Sequence, residues 1–336
     1  MTSPASHPIE RWKSAAWQSQ VQSWVAQVLA TFNIEQTGPL SEPRIRFWSV
    51  LLTVPTDHGK LWFKENNPGQ FQEASIIAAL AEIAPEHVVT PLAVEPTKGW
   101  MISPDHGATL ASLKTTDYAL WARVVADFAD LQQQAARHGQ RLTDAGLASL
   151  DPGIAGNFVS NQLLLHTGLP EEHPLHLNAE QADRVYASVP AIEEAAAQLS
   201  VLGVPLSLEH NDLHPNSAFI PGSSTDPLRF FDFGDSYWAH PFSSLFVPLG
   251  VMRENWEAGP DDARIRRVLT AYLERWTAYA PLPELRAALE PALQLGRLNR
   301  YGSWLRLLIH ADDDSMRQYG PHALQYLQTI TEPVLL

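Results

Sequence analysis

Residues 209–234 read EHNDLHPNSAFIPGSSTDPLRFFDFG, and the reading of this stretch decides the fold. It gathers His210, Asp212, His214 and Asn216 into one short loop, then sets Asp232 ahead of Phe233 and Gly234 about twenty residues later. Two apolar runs, 217–220 and 228–233, flank the turn-rich PGSSTDP, and this pattern predicts a hairpin that brings both carboxylates to one edge. One carboxylate to orient a hydroxyl and another to hold a hard cation against phosphates is the pairing that phosphoryl transfer requires. The same His and Asp cluster also suits a metal site for hydrolysis, so the choice rests on the remainder of the chain.

Working outward, the residues before this stretch divide into two kinds. Residues 9–32 carry Trp17, Val21, Trp24, Val28 and Phe32 every three or four positions, the period of an amphipathic helix with one packing face. After Thr37, Gly38 and Pro39 the pattern turns to strands at 47–54 and 61–63 around a turn at 55–59, with Lys64 closing the second strand. Residues 71–84 predict a helix stopped by Pro85, in which Glu73, Ile77, Leu80 and Ala84 share a face. A carboxylate in a buried stripe needs a cation, and Lys64 is the near candidate; the alternative is that Glu73 simply favours the dipole of a first helical turn. Strands at 87–94 and 100–103 would close a small mixed sheet, with 104–107 as the connector. Helical patterns then run over 117–138, with Leu120, Val124, Phe128 and Leu131 on one face, over 178–202, and from 261 onward. The reading is an α+β chain in three parts: a helical extension at 1–36, a small strand-rich lobe at 37–103 and a large helical lobe at 104–336.

Composition narrows the function. A chain of 336 residues with 45% hydrophobic residues and 11 Trp can bury a large core and fits about two domains. The absence of Cys removes disulfides, thiolate metal sites and a Cys nucleophile, and fits a cytoplasmic setting. A formal net charge of -14 opposes nucleic acid as the main partner, because a phosphate backbone needs a basic face. No targeting segment is expected in MTSPASHPIERWKS, and no run of about 18 apolar residues predicts a membrane span.

The order of Lys64 on a strand, Glu73 on the next helix, then HNDLHPNS and DFGDS resembles the aminoglycoside phosphotransferase family, relatives of choline kinase and of protein kinases. The resemblance covers residues 47–245, and LWFKENNPGQFQEASIIAALAEIAP and FFDFGDSYWAHPFSSL resemble parts of its bacterial members. It implies a bilobal kinase-like fold, ATP or GTP with Mg²⁺ as cofactors, and a small hydroxylated acceptor. It implies Asp212 as the catalytic carboxylate, Asp232 as a Mg²⁺ ligand, Lys64 on the nucleotide phosphates and Glu73 as its support. His210 is implied as a structural prop, while His214 either faces the phosphates or stabilises the loop.

Two departures from the family stand out. Five residues after Asp212 the family places an Asn that ligates Mg²⁺, whereas this chain has Ser217, with Asn216 one position earlier; either is a candidate ligand, since a hydroxyl can ligate Mg²⁺. The second is Ser244, where many relatives have an Asp after the His-Pro segment; the glycine-rich phosphate loop is also faint, with Gly38 alone near the first strand, but many members of the family lack such a loop. Three functions remain: a small-molecule kinase, a kinase-fold binding protein that has lost turnover through Ser217, and a metal-dependent phosphohydrolase, which leaves Lys64, Glu73 and the small lobe without a role. Acceptor identity and oligomeric state are not readable, and Glu254, Glu257, Asp261, Asp262 and residues 312–314 either attract an amine or form a solvated surface.

Overall fold

The fold is seen in a computed structural model that describes residues 7–113, 117–259 and 261–334. The first six residues of the expected extension therefore lie outside the described part. Helices α1 (Pro8–Lys13) and α2 (Ala15–Thr31) replace the single helix expected over 9–32. The break falls at Ser14, which takes an extended backbone and accepts a hydrogen bond from Trp17 N at 3.2 Å, so it caps α2 rather than continuing α1. Phe32, expected on the buried stripe, lies past the end of α2 and is exposed.

The small lobe is a five-stranded sheet of β1 (Ser41–Ile45), β2 (Ser49–Thr56), β3 (Gly59–Asn66), β4 (Ala93–Glu95) and β5 (Trp100–Pro104), in the order β1-β2-β3-β5-β4. All neighbours are antiparallel. Strand β1, sequence SEPRI, escaped the sequence reading because Pro43 and its charges contradict a central strand; at a sheet edge both are tolerated. Of the strand expected over 87–94, only the end joins the sheet, as part of β4, while Val88 makes an isolated parallel bridge with Phe230 of the large lobe.

Alternation along the strands separates two jobs. Val50, Leu52, Val54, Leu61 and Phe63 face α1 and α2 and pack with Trp12, Trp17, Val21 and Val25. The opposite face carries Leu51, Trp62 and Lys64 toward the inter-lobe cleft. Glu65, buried on the helix side, accepts the indole N–H groups of Trp17 at 2.7 Å and Trp100 at 2.5 Å, and pairs with Arg11. This carboxylate is the polar bolt of an otherwise apolar layer.

Helix α3 (Glu73–Ile83) follows the sheet's second hairpin. The large lobe consists of α4 (Tyr118–Ala135), α5 (Gly139–Asp144), α6 (Ala155–Thr167), α7 (Ala179–Val201), α8 (Phe246–Trp256), α9 (Ala263–Leu273), α10 (Leu282–Ala287), α11 (Leu289–Leu308) and α12 (Asp313–Gln328). Two short strands, β6 (Ser207–Glu209) and β7 (Tyr237–Ala239), pair antiparallel and bracket the loop region of interest. Within it, the expected hairpin is confined to a bridge between Ala218 and Phe230, closed by Phe231 N to Ser217 O at 3.0 Å and Phe219 N to Arg229 O at 3.1 Å. Among the described residues no helix is long and apolar enough to cross a membrane. The expected α+β bilobal arrangement is therefore the one observed.

The lobes are held together at close range. A Cβ on Gly69 would lie 2.0 Å from the Arg306 carbonyl oxygen of α11, so only glycine permits this approach. Phe47, at the turn between β1 and β2, stacks on Tyr319 of α12 with ring centroids 5.7 Å apart.

Replacing Glu65 with Ala strands two buried indole donors and frees Arg11. Each orphaned donor costs about 1–3 kcal/mol, so Glu65→Ala should lower unfolding free energy by about 3 kcal/mol. Urea denaturation reads this directly, and a loss below about 1 kcal/mol would show that the two tryptophans find other partners.

Candidate active site

Three segments meet at Lys64, two of them neighbours in sequence and the third 168 residues away. Strand β3 holds it between Leu51 of β2 and Met101 of β5, and its Nζ lies 2.8 Å from Glu73 Oε2 and 2.5 Å from Asp232 Oδ1. Glu73 opens α3 and is buried; besides Lys64 it receives Phe233 N at 3.1 Å and Asn66 Nδ2. Burial pushes the Glu73 carboxyl up, whereas the Lys64 ammonium draws it down. With three donors on its two oxygens, the ionised form is the one the geometry supports. Burial likewise opposes the charge on Lys64, but Asp232 and Glu73 outweigh it and keep the ammonium protonated above its ordinary range. Asp232 itself is half exposed, sits at φ 67°, and is drawn below the usual carboxylate range because Lys64 overcomes the effect of burial.

The second centre is the loop after β6. Asn211, at φ 63°, turns the chain so that Asp212 faces outward, and its amide donates to Asn299 O at 3.0 Å and Asp235 O at 3.2 Å. Asp212 Oδ1 lies 3.0 Å from Arg300 Nη2, and its Oδ2 lies 3.4 Å from His214 Nε2. Burial alone would push Asp212 up, but Arg300 and then His214 hold its carboxyl well below the usual range. His210 is buried; Nδ1 accepts Asp212 N at 3.3 Å and Nε2 faces Phe231 O at 3.1 Å. Burial presses it down to about 4, so it is a neutral prop joining the two carboxylate-bearing segments.

Arg300 was missed in the sequence, where it is one Arg among several on a long helix. From α11 it reaches Asp212, Asp235 Oδ2 at 3.6 Å and Asn211 O at 3.0 Å. Only the packing of α11 beside the loop reveals it. Asp235 also accepts Gln70 Nε2 of the small lobe at 2.7 Å, and Arg306 donates to Asp235 O at 2.9 Å.

The two metal-ligand candidates of the loop are engaged elsewhere. Ser217 is buried, its hydroxyl donating to Asp212 O at 2.8 Å and accepting His214 N at 3.3 Å. Asn216 is exposed and accepts Thr109 Oγ1 at 3.4 Å. Among the described residues no three His, Cys, Asp or Glu side chains form a metal cluster. The acidic residues weighed as amine attractors are elsewhere too: Asp262 caps α9 and pairs with Arg264, and Asp312 caps α12.

Between the lobes lies a cleft of about 620 Å³. Leu51, Trp62, Ile77 and Met101 line it on the small-lobe side and Phe219 and Phe231 on the other; Lys64, Glu73 and Asp232 also line it. An apolar slot with charged groups along its wall suits a flat ring joined to an anionic chain.

A comparison with protein-family models gives no match, and neither does a comparison with curated sequences. Solved structures share the fold. An ethanolamine kinase from Plasmodium vivax aligns with TM-score 0.66 at 13% identity, over 96% of this chain and 90% of that one. A choline/ethanolamine kinase family protein from Mesorhizobium loti gives 0.57 at 17% identity, over 93% and 95%. A macrolide 2'-phosphotransferase from Brachybacterium faecium gives 0.56 at 15% identity, over 90% and 98%. The chain thus has the bilobal fold of these small-molecule kinases.

The His214 imidazole reports the state of Asp212. Burial lowers its affinity for a proton, but the Asp212 carboxylate more than offsets this and raises its pKa above 6.5. A raised folded pKa contributes stability that is full below the unfolded value and lost as pH rises through the folded one, so this contribution fades above about pH 6.5. In Asp212→Asn burial and the Arg300 charge both oppose the proton and only Asp232 still favours it, so the His214 midpoint should fall from its wild-type position. NMR titration of the imidazole measures it; an unmoved midpoint would break the pairing.

Proposed function

We propose that this protein is a phosphotransferase of the aminoglycoside phosphotransferase and choline kinase type, moving the γ-phosphoryl of ATP or GTP, with Mg²⁺, to a hydroxyl of a small molecule. The observation that carries the reading is Lys64 held by Glu73 and Asp232 at the wall of the cleft, with Asp212 fixed to the same segment through His210. A hydrolase built on the His and Asp cluster leaves Lys64 and Glu73 without a role.

The geometry supports a role for each residue. The base would lie in the apolar slot between Leu51 and Trp62 above and Phe219 and Phe231 below. Lys64, positioned by Glu73, would contact the phosphates. Asp232 would hold Mg²⁺ with a half-exposed carboxylate, and one or two carboxylates plus phosphate oxygens and water suffice for this ion. When bound, Mg²⁺ neutralises charge on the phosphoryl oxygens. Asp212 would accept a hydrogen bond from the acceptor hydroxyl and so orient it. A carboxyl kept so acidic by Arg300 is a better orienting group than proton sink, which suits a loose transition state with little need for early deprotonation.

His214, left open between two roles in the sequence, caps its own turn through Nδ1 and steadies Asp212 through Nε2. That supports the loop-stabilising role. The acceptor would be a small hydroxylated compound reaching Asp212 from the side of α11.

One observation favours a second reading, a nucleotide- or ligand-binding protein without turnover: the Ser217 hydroxyl, at the position of the metal-binding Asn, is occupied by loop backbone. Measuring nucleotide consumption with Mg²⁺ and a broad panel of hydroxylated metabolites separates the two. Under the kinase reading, Asp212→Asn should slow single-turnover transfer by roughly 10²–10⁴ while sparing Mg-nucleotide affinity. An unchanged rate removes Asp212 from the chemistry. Ser217→Asn should lower the Mg²⁺ concentration needed for half-maximal rate, and an identical metal requirement would show that no third protein oxygen is used.

A further inference from the structure

A nucleotide triphosphate brings several negative charges, and the cation already placed on it is answered. Lys64 has two carboxylates beside it, and Lys60, further along the cleft, pairs with Asp105 at 3.0 Å. In many kinases the remaining charge meets the backbone N–H groups of a glycine-rich turn between the first two strands. Here that turn, residues 46–49, holds no glycine; Gly38 lies before β1, against Pro55. The turn is closed by Arg46 N to Ser49 O at 2.8 Å and Ser49 N to Arg46 O at 3.3 Å, so two of its amides face inward. At its tip Phe47 is buried against Tyr319, and Trp48 meets the same ring at 6.2 Å. Backbone cannot fold over a ligand in the usual way when its corner carries two large rings fixed to the other lobe.

The register supplies a substitute. Arg44 pairs with Leu51, and Leu51 pairs with Lys64, so Arg44 stands in the same cross-strand row as Lys64, two strands away, on the cleft face. At strand spacing this is about 10 Å. Arg46, two residues on, faces the same way beside the turn, and both arginines line the cleft. Arg44 rests its guanidinium over Trp62, 5.2 Å from the ring centroid, which keeps it in the cleft without neutralising it. Among the described residues neither arginine has a carboxylate partner, in a chain whose net charge is -14.

Building on the nucleotide-using reading above, we infer that Arg44 and Arg46 form a side-chain phosphate clamp that replaces the glycine-rich loop, with Arg46 nearest the terminal phosphate. Guanidinium groups can grip phosphate oxygens from the end of β1 and from a turn whose own amides are bonded inward. The clamp acts on the triphosphate, and Arg44, through Trp62, also borders the slot proposed for the base.

Calorimetric titration of the full chain with Mg-ATP and, separately, with adenosine tests this. Arg46→Gln should weaken Mg-ATP binding roughly tenfold or more, the scale of one charge-assisted hydrogen bond, and leave adenosine affinity within about twofold. Arg44→Gln should weaken Mg-ATP binding more than adenosine binding, with a smaller difference because Arg44 rests on Trp62, the double variant should show a larger loss for Mg-ATP, and Arg46→Lys a partial recovery. Salt should weaken wild-type Mg-ATP binding more steeply than that of the double variant. Equal losses for ATP and adenosine would mean that the arginines only support the cleft, and no loss for ATP would mean that they do not touch phosphate; either overturns the clamp. Wild-type protein that binds neither ligand would instead defeat the nucleotide-using reading and the clamp with it, a result visible before any variant is made.

Discussion

Everything at the cleft depends on one ammonium shared by two carboxylates that belong to different lobes. Lys64 on β3 would be a liability in its nearly closed surroundings without Glu73, and Asp232 without Lys64 would face Asp212 with no charge between them. The pairing is thus a constraint as well as an attraction. It fixes α3 against the sheet, and it fixes the segment before β7 against β3. A buried ion pair of this kind adds little net stability over an apolar replacement, yet removing one partner alone is costly. Its value lies in geometry: it sets where the two lobes meet.

A second set of contacts holds the same meeting. His210 ties the Asp212 loop to Phe231, Gln70 of the small lobe holds Asp235, and Arg306 gathers the carbonyls of residues 234–236. Arg300 then closes the circuit by pairing with both Asp212 and Asp235. Because Asp212 is held by Arg300 and His214 rather than by solvent, its charge is fixed before any ligand arrives. The aromatic contacts of Phe47 and Trp48 with Tyr319, and of Tyr319 with Trp304 at 5.3 Å, run beside this polar circuit and join the small-lobe turn to α11 and α12. The cleft therefore has a roof that is braced rather than hinged at its front edge.

Ser217 illustrates how a departure in sequence is absorbed in structure. A hydroxyl at this position is too short to serve both the loop and an ion, and here it serves the loop, spanning Asp212 O and His214 N. Burial decides it, because a hydroxyl hidden from water must find its partners nearby.

Much of this was legible along the chain. The apolar period of 3.6 placed α3 and α4, aromatic and β-branched residues around a turn placed β2 and β3, and the carboxylates of HNDLHPNS and DFGDS marked the candidate site, since local pattern and residue chemistry act over a few positions. The pairing of Lys64 with Glu73 was also foreseeable, from a carboxylate in an otherwise apolar stripe. Other features were invisible for a stated reason. The split at Ser14 turns on a cap, and β1 exists only because an edge position forgives Pro43. Glu65 between two tryptophans, Arg300 on Asp212, and the row that Arg44 shares with Lys64 join residues that lie far apart along the chain. The sequence by itself determined most of the elements and the candidate groups, because propensity and side-chain chemistry are local; which charge answers which was decided only by tertiary structure, because electrostatic pairing depends on distance in space and on the water that packing excludes.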